Sequence, residues 1–164
     1  MNIETWELLS YVVTVVGLPL AIAVFVFQQS KERRNEENEV FELLSDNYQQ
    51  FLRVVLDHPD LRLFSMSKTP EMSEEQHERM TIIFTMLVGL FERAYMLLYE
   101  PDLRGAALRR WGTWEDSMRE WCAREDFRDM LPELLIGEDH DFCDYIRRLA
   151  AECATATGAA TARH

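Results

Sequence analysis

From Leu8 to Ser30 the chain carries no formal charge over 23 consecutive positions, with apolar runs at Val12–Val16 and Leu20–Phe27. A helix over that stretch is about 35 Å long, enough to cross a hydrocarbon core of about 30 Å. Trp6 and Tyr11 lie near its N-terminal end, where amphipathic rings favour the headgroup layer. The pattern predicts a transmembrane helix over 8–30. A cleaved leader would need a basic start, a shorter apolar stretch and small residues before the cut. Here the start is acidic (Glu4, Glu7), and Phe25-Val26-Phe27-Gln28 offers no such site.

Past the span the periodicity is that of amphipathic helices. The charged stretch Lys31–Glu39 contains no Gly or Pro, so the helix can run on through it. Apolar residues resume at Val40, Leu44, Tyr48, Phe51 and Val55, with Phe41 and Leu52 widening the stripe. This predicts a juxtamembrane helix over 31–57, stopped at Asp57-His58-Pro59-Asp60 because proline disfavours helix in the residue before it. Asp57, His58 and Asp60 read as turn chemistry. A short piece, Leu61–Met66, leads to a polar loop around Thr69-Pro70.

Ser73-x-x-Gln76 is a capping box for the next helix, with Glu74 and Glu75 suited to its positive end. That helix should reach about Tyr99, with Met80, Ile83, Phe84, Leu87, Leu90, Phe91, Ala94 and Leu98 on its apolar surface. Its uncharged run, Met80–Phe91, is 12 residues, too short to span a bilayer, so it reads as the central helix of a bundle. A third helix over Ala106–Arg124 carries Trp111, Trp114, Met118 and Trp121 at 3-4-3 spacing, with Cys122 beside them. Asp126–Ile136 reads as a short or broken helix interrupted at Pro132 and ended by Gly137. A last helix over Asp141–Glu152 presents Phe142, Tyr145, Ile146 and Leu149, and residues 153–164 read as a disordered tail. The fold class is all-α: one N-terminal transmembrane helix, then a bundle of about four to five helices over 58–152.

Charge places the parts. Residues 1–34 hold three basic and three acidic groups, leaving residues 35–164 with 14 of the 17 basic and 26 of the 29 acidic ones. The net charge of −12 therefore falls on the second part, and with no basic stripe there, nucleic acid is excluded as a partner. Lys31, Arg33 and Arg34 follow the span directly, and basic residues stay on the cytoplasmic side. The expected topology is a single pass through the inner membrane, with residues 1–7 outside and the bundle in the cytoplasm. Three cysteines (Cys122, Cys143, Cys153), an odd number without a CxxC pair, suit reduced thiols in that compartment.

Chemistry is sparse. Glu138-Asp139-His140-Asp141, followed by Cys143 and Asp144, offers metal-ligand types, but acidic residues also gather at helix starts, where they cap free N–H groups. Trp114 and Trp121 could stack a ligand, although such spacing is that of a core. Arg109, Arg110 and Trp111 form a candidate surface aromatic and basic patch, with Arg104 nearby and Trp111 the ring expected to be exposed. Within the span, Ser10, Thr14, Gly17 and Ala21 recur at 4-3-4 spacing, a candidate self-association face of small residues. Pro19 should kink the helix. No intramembrane charge marks an ion pathway, and there is no P-loop, GxGxxG, HExxH, nucleophile elbow or Ser-x-x-Lys. No cofactor is expected, and neither a catalytic nor a metal site is assigned.

The His58-Pro59-Asp60-Leu61 turn, Trp114 and Trp121 on one helix, and Asp126-Phe127-Arg128 leading to Phe142-x-x-Tyr145-Ile146 form a pattern over roughly residues 8–150. It resembles certain small bacterial membrane-anchored helical proteins of unknown function. The resemblance implies a single-span, helical, cytoplasm-facing protein and carries no functional residues across. Three functions follow. The first is a membrane-tethered interaction module whose acidic bundle stands off anionic lipid to meet a protein partner. The second is a small homo-oligomeric membrane effector assembled through the small-residue face. The third is a metal-dependent enzyme using Glu138, His140, Asp141 and Cys143.

Overall fold

Helix α1 runs unbroken from Ile3 to Asp57, through Pro19 and through the charged stretch after the apolar segment. The computed structural model describes the backbone of residues 3–65 and 68–161, and the side chains of residues 19–32, 35–65 and 68–156. Four more α-helices follow: α2 (Glu74–Leu98), α3 (Gly105–Cys122), α4 (Glu125–Leu134) and α5 (His140–Thr161). The described residues contain no strand, so the all-α class holds. The chain divides into two compact units, Met1–Glu42 and Leu43–His164. The last four turns of α1 thus belong to the bundle, which begins earlier than residue 58.

Local signals account for the ends. His58 precedes Pro59, and the chain turns there through a short 3₁₀ segment, Pro59–Leu61, with Arg62 in the left-handed region at φ 48°. The Asp60 carboxylate accepts hydrogen bonds from Gln76 Nε2 (3.0 Å) and Arg79 Nη2 (3.4 Å), so this turn also fastens the start of α2. Those contacts, the Gln76 bond foremost, hold Asp60 below the usual carboxylate range. The capping box forms as the sequence implies: Gln76 N–H donates to Ser73 Oγ (3.2 Å) and Ser73 N–H to Gln76 Oε1 (3.0 Å). Two ends differ from expectation. Pro132 lies inside α4 without breaking it, in the last turn, where its missing N–H removes one bond only. Helix α5 continues to Thr161, past Glu152, through an alanine-rich sequence that favours helix.

α2 is the centre of the bundle, packed on α3, α4 and α5. Its inner face buries Ala94 together with Met80, Ile83, Phe84, Leu87 and Phe91, each of these five larger side chains contributing about 1.5–3 kcal/mol where fully buried. Phe84 meets Phe127 edge-on at 5.1 Å between centroids and Trp121 at 6.2 Å. The end of α1 docks through Leu44, Phe51 and Val55, all buried. Tyr48 and Phe51 lie edge-on to Trp114 and Trp121, and Trp121 Nε1 donates to Tyr48 Oη at 3.1 Å. Trp114 and Trp121 are therefore core. By length and composition α2 is also long and apolar enough to cross a membrane, and among the described residues no other helix is. The 12-residue uncharged run understated this, because Glu92 and Arg93 interrupt an apolar sequence that resumes after them.

One buried ion pair secures the connection into α2. Arg124 and Asp126 are 3% and 4% exposed and meet through two bonds, Nε to Oδ1 (2.9 Å) and Nη2 to Oδ2 (2.6 Å). Arg124 Nη1 also donates to the carbonyls of Arg62 (2.8 Å) and Ser65, and Nη2 to Thr69 Oγ1 (3.3 Å). Asp126 accepts in turn from the N–H groups of Phe127 (2.9 Å) and Thr69 (3.4 Å). In the irregular segment before α2, the carbonyls of Arg62 and Ser65 and the N–H of Thr69 are thus answered from the α3–α4 corner.

Candidate functional site

Side chains from Pro19 to Glu32 are all exposed, on every side of α1. They include Leu20, Ile22, Val24, Phe25, Val26 and Phe27, with Phe25 and Phe27 63% and 65% exposed. A helix apolar all round needs apolar surroundings all round. Of the small-residue face, Ala21 is exposed, while the side chains of Ser10, Thr14 and Gly17 lie outside the described residues.

Trp111 is not a surface ring. It is 3% exposed, because its 3-4-3 register with Trp114, Met118 and Trp121 turns it inward, whereas Arg109 stays exposed and Arg110 half-buried. The proposed patch of Arg109, Arg110 and Trp111 is therefore split between two faces of α3. Trp111 joins an aromatic cluster where α2, α3 and α5 meet: Tyr99 at 5.1 Å, Tyr145 at 5.6 Å and Tyr95 at 6.0 Å, with Tyr95 stacked on Tyr99 at 4.7 Å.

This cluster walls a cavity of about 290 Å³ whose polar lining includes Glu115, Arg119, Arg148 and Glu152. Arg119 donates to Glu115 Oε1 from Nε (3.0 Å) and Nη2 (2.7 Å), and to Glu152 Oε2 from Nη1 (2.9 Å). The guanidinium of Arg148 stands 5.1 Å over the Tyr145 ring. Burial alone would raise Glu115, but hydrogen bonding from Arg119 and Tyr145 and the Arg119 charge bring it below its ordinary value. Burial, then the hydrogen bond to Glu115, pushes the Tyr145 hydroxyl well up. Arg119 thus joins one carboxylate on its own helix to one on α5. The geometry is that of a charge clamp between α3 and α5, with a shallow amphipathic depression outside it.

The Glu138–Asp144 segment is built as a helix start. Asp139 Oδ1 accepts the Phe142 N–H (3.0 Å), capping α5, while the Asp139 N–H donates to Glu92 Oε1 (2.6 Å) on α2. His140 is exposed, 3.8 Å from Asp141 and 3.7 Å from Asp144. Cys143 is buried, its thiol directed at the Leu135 carbonyl at 3.7 Å. Among the described residues no three His, Cys, Asp or Glu side chains converge as a metal site. Burial, reinforced by the neighbouring Glu92 carboxyl, raises the Glu138 carboxyl above its ordinary value.

The outer face of α2 has a different character. Ile82, Met86, Met96 and Leu97 project to solvent, with Ile82 55%, Met86 46% and Met96 64% exposed. Beside them a groove of about 420 Å³ runs between α2 and the end of α1, lined by Asn47, Gln50, Val54, Met86, Gly89 and Arg93 among others. A Cβ built on Gly89 would meet nothing within 4 Å, so the groove floor is open. The periodicity of the sequence marks only the inner residues. The signal for the rest was the apolar residues between them, since one buried face needs only every third or fourth position. No protein family, curated protein or solved structure matches this chain.

Proposed function

We propose that the protein is a membrane-tethered helical interaction module that acts by binding rather than by catalysis. Residues 8–30 cross the inner membrane once, with residues 1–7 outside and the acidic bundle in the cytoplasm. The observation that carries this reading is the unbroken exposure of Pro19–Glu32, six large apolar side chains included, with Lys31 four residues past the last of them, Phe27. Left in water, such a surface would be an aggregation site; in lipid it has the environment its composition demands. The binding role is supported by the exposed apolar stripe of α2, while the charges around the aromatic cluster are already matched to one another.

Fractionation tests the tether. The full chain should stay with membranes washed at high pH, and a fluorescent protein fused to its C-terminus should fluoresce while a phosphatase active only outside the cytoplasm should be inactive there. The double substitution Leu20→Arg and Ile22→Arg, near the middle of the span, should release the chain, since each central arginine costs about 2.5–3.5 kcal/mol in an inserting helix. A native chain that is soluble after cell lysis would overturn the reading.

A further inference from the structure

We infer that the partner of the bundle is a second copy of this chain, docked through the outer face of α2 across a two-fold axis. The inference deepens the interaction-module reading and rests on it for the binding role, although not for the membrane span.

The face is self-complementary. Glu78, Ile82, Thr85, Met86, Gly89 and Arg93 lie on one side of α2, all within about 100° of arc at 3.6 residues per turn. Their positions are symmetric about the midpoint between Thr85 and Met86. If two α2 helices cross antiparallel at that point, Ile82 of each copy sits over Gly89 of the other. Arg93 of each copy then lies beside Glu78 of the other. Glycine lets the helices approach and receives the larger side chain, and among the described residues nothing lies within 4 Å of a Cβ built there.

The two charged positions lie about 11 Å either side of the crossing, within reach of long side chains at a shallow angle. Both are exposed, and neither is ion-paired among the described residues. A two-fold interface makes each such contact twice.

Area and charge agree. Ile82, Met86 and Met96 offer roughly 100 Å² of apolar surface each, and the groove residues Asn47, Gln50 and Val54 with Thr85, Gly89 and the charged ends extend the face toward the about 800 Å² per partner of a standard interface. The run Met80–Phe91 brings no charge into the seam, and Asn47, Gln50 and Thr85 edge it with neutral polar groups. Two bodies of net −12 repel, but the stretch from Glu78 to Arg93 is neutral, Glu75 beside it is ion-paired with Arg79 (3.9 Å), and salt screens more distant charge beyond about 8 Å.

Cross-linking of the full chain in its own membranes tests the inference. With a short bis-maleimide, Thr85→Cys should give a dimer band well above the wild-type level, and Thr113→Cys, exposed on α3, should not. Adding Arg93→Glu to Thr85→Cys should reduce the dimer about tenfold, and adding Glu78→Arg as well should restore it to within about threefold. Equal cross-linking at Thr85→Cys and Thr113→Cys would overturn the inference, as would loss that the double charge reversal fails to restore. If the chain washes off membranes yet Thr85→Cys still cross-links, the tether reading fails and this one stands. If it stays in the membrane without that cross-link, the reverse holds.

Discussion

Replacing Asp126 with alanine removes the only carboxylate that, among the described residues, partners a guanidinium that is 3% exposed. The ion pair goes, and with it the acceptor for the Phe127 and Thr69 N–H groups. Arg124 keeps the carbonyls of Arg62 and Ser65 and the hydroxyl of Thr69, which are dipoles and cannot neutralise it. Removing one partner of a buried pair costs about 3–5 kcal/mol, because the charge left behind has lost its hydration and its counterion together. For a unit of this size that lowers the midpoint by about 12–20 °C.

Urea unfolding of the full chain in detergent, followed by tryptophan fluorescence, measures the change. The double variant Arg124→Met with Asp126→Ala should lose less than Asp126→Ala and Arg124→Met together, since it buries no lone charge. Some loss remains, from the carbonyls of Arg62 and Ser65, at about 1–3 kcal/mol per unanswered group. A change below about 1 kcal/mol for Asp126→Ala would refute the reasoning, for it would mean the guanidinium is solvated.

Three further outcomes follow from particular contacts. Glu138 has a folded value raised above its ordinary 4.5, so it binds its proton more tightly when folded and detracts from stability once ionised. Glu138→Gln should therefore stabilise the protein at pH 7, and the native chain should lose stability between pH 4.5 and the raised value as pH rises, which unfolding curves across that window would show. Ser73→Ala should cost about 1 kcal/mol in the same unfolding assay, by removing the acceptor for the Gln76 N–H. Burial pushes the Cys122 thiol up to about 12, so at pH 8 it should resist iodoacetamide in the folded chain and react in urea, with mass spectrometry locating the adduct.

Much of the architecture was legible in one dimension because it rests on local rules. Proline at 59, serine and glutamine at 73 and 76, and the tryptophan spacing after 110 act within a turn or two of chain, and each appears where those rules put it. Adjacent arginines point Trp111 to the surface, but its burial follows the register it shares with Trp114, Met118 and Trp121, where a large ring packs against other apolar side chains. The end of α5 was missed because a small-residue tail offers no stripe to read, while alanine favours helix.

The sequence by itself determined where most of the helices lie, the charge asymmetry, and the long uncharged apolar run near the N-terminus, because each depends on neighbours along the chain. Only the tertiary structure decided that Arg124 answers carbonyls some 60 residues away, that Arg119 joins α3 to α5, and which side of α2 stays uncovered. Those outcomes depend on which helices meet. An ion pair or an exposed stripe takes its meaning from what lies opposite it in space, and periodicity along one helix carries no record of that.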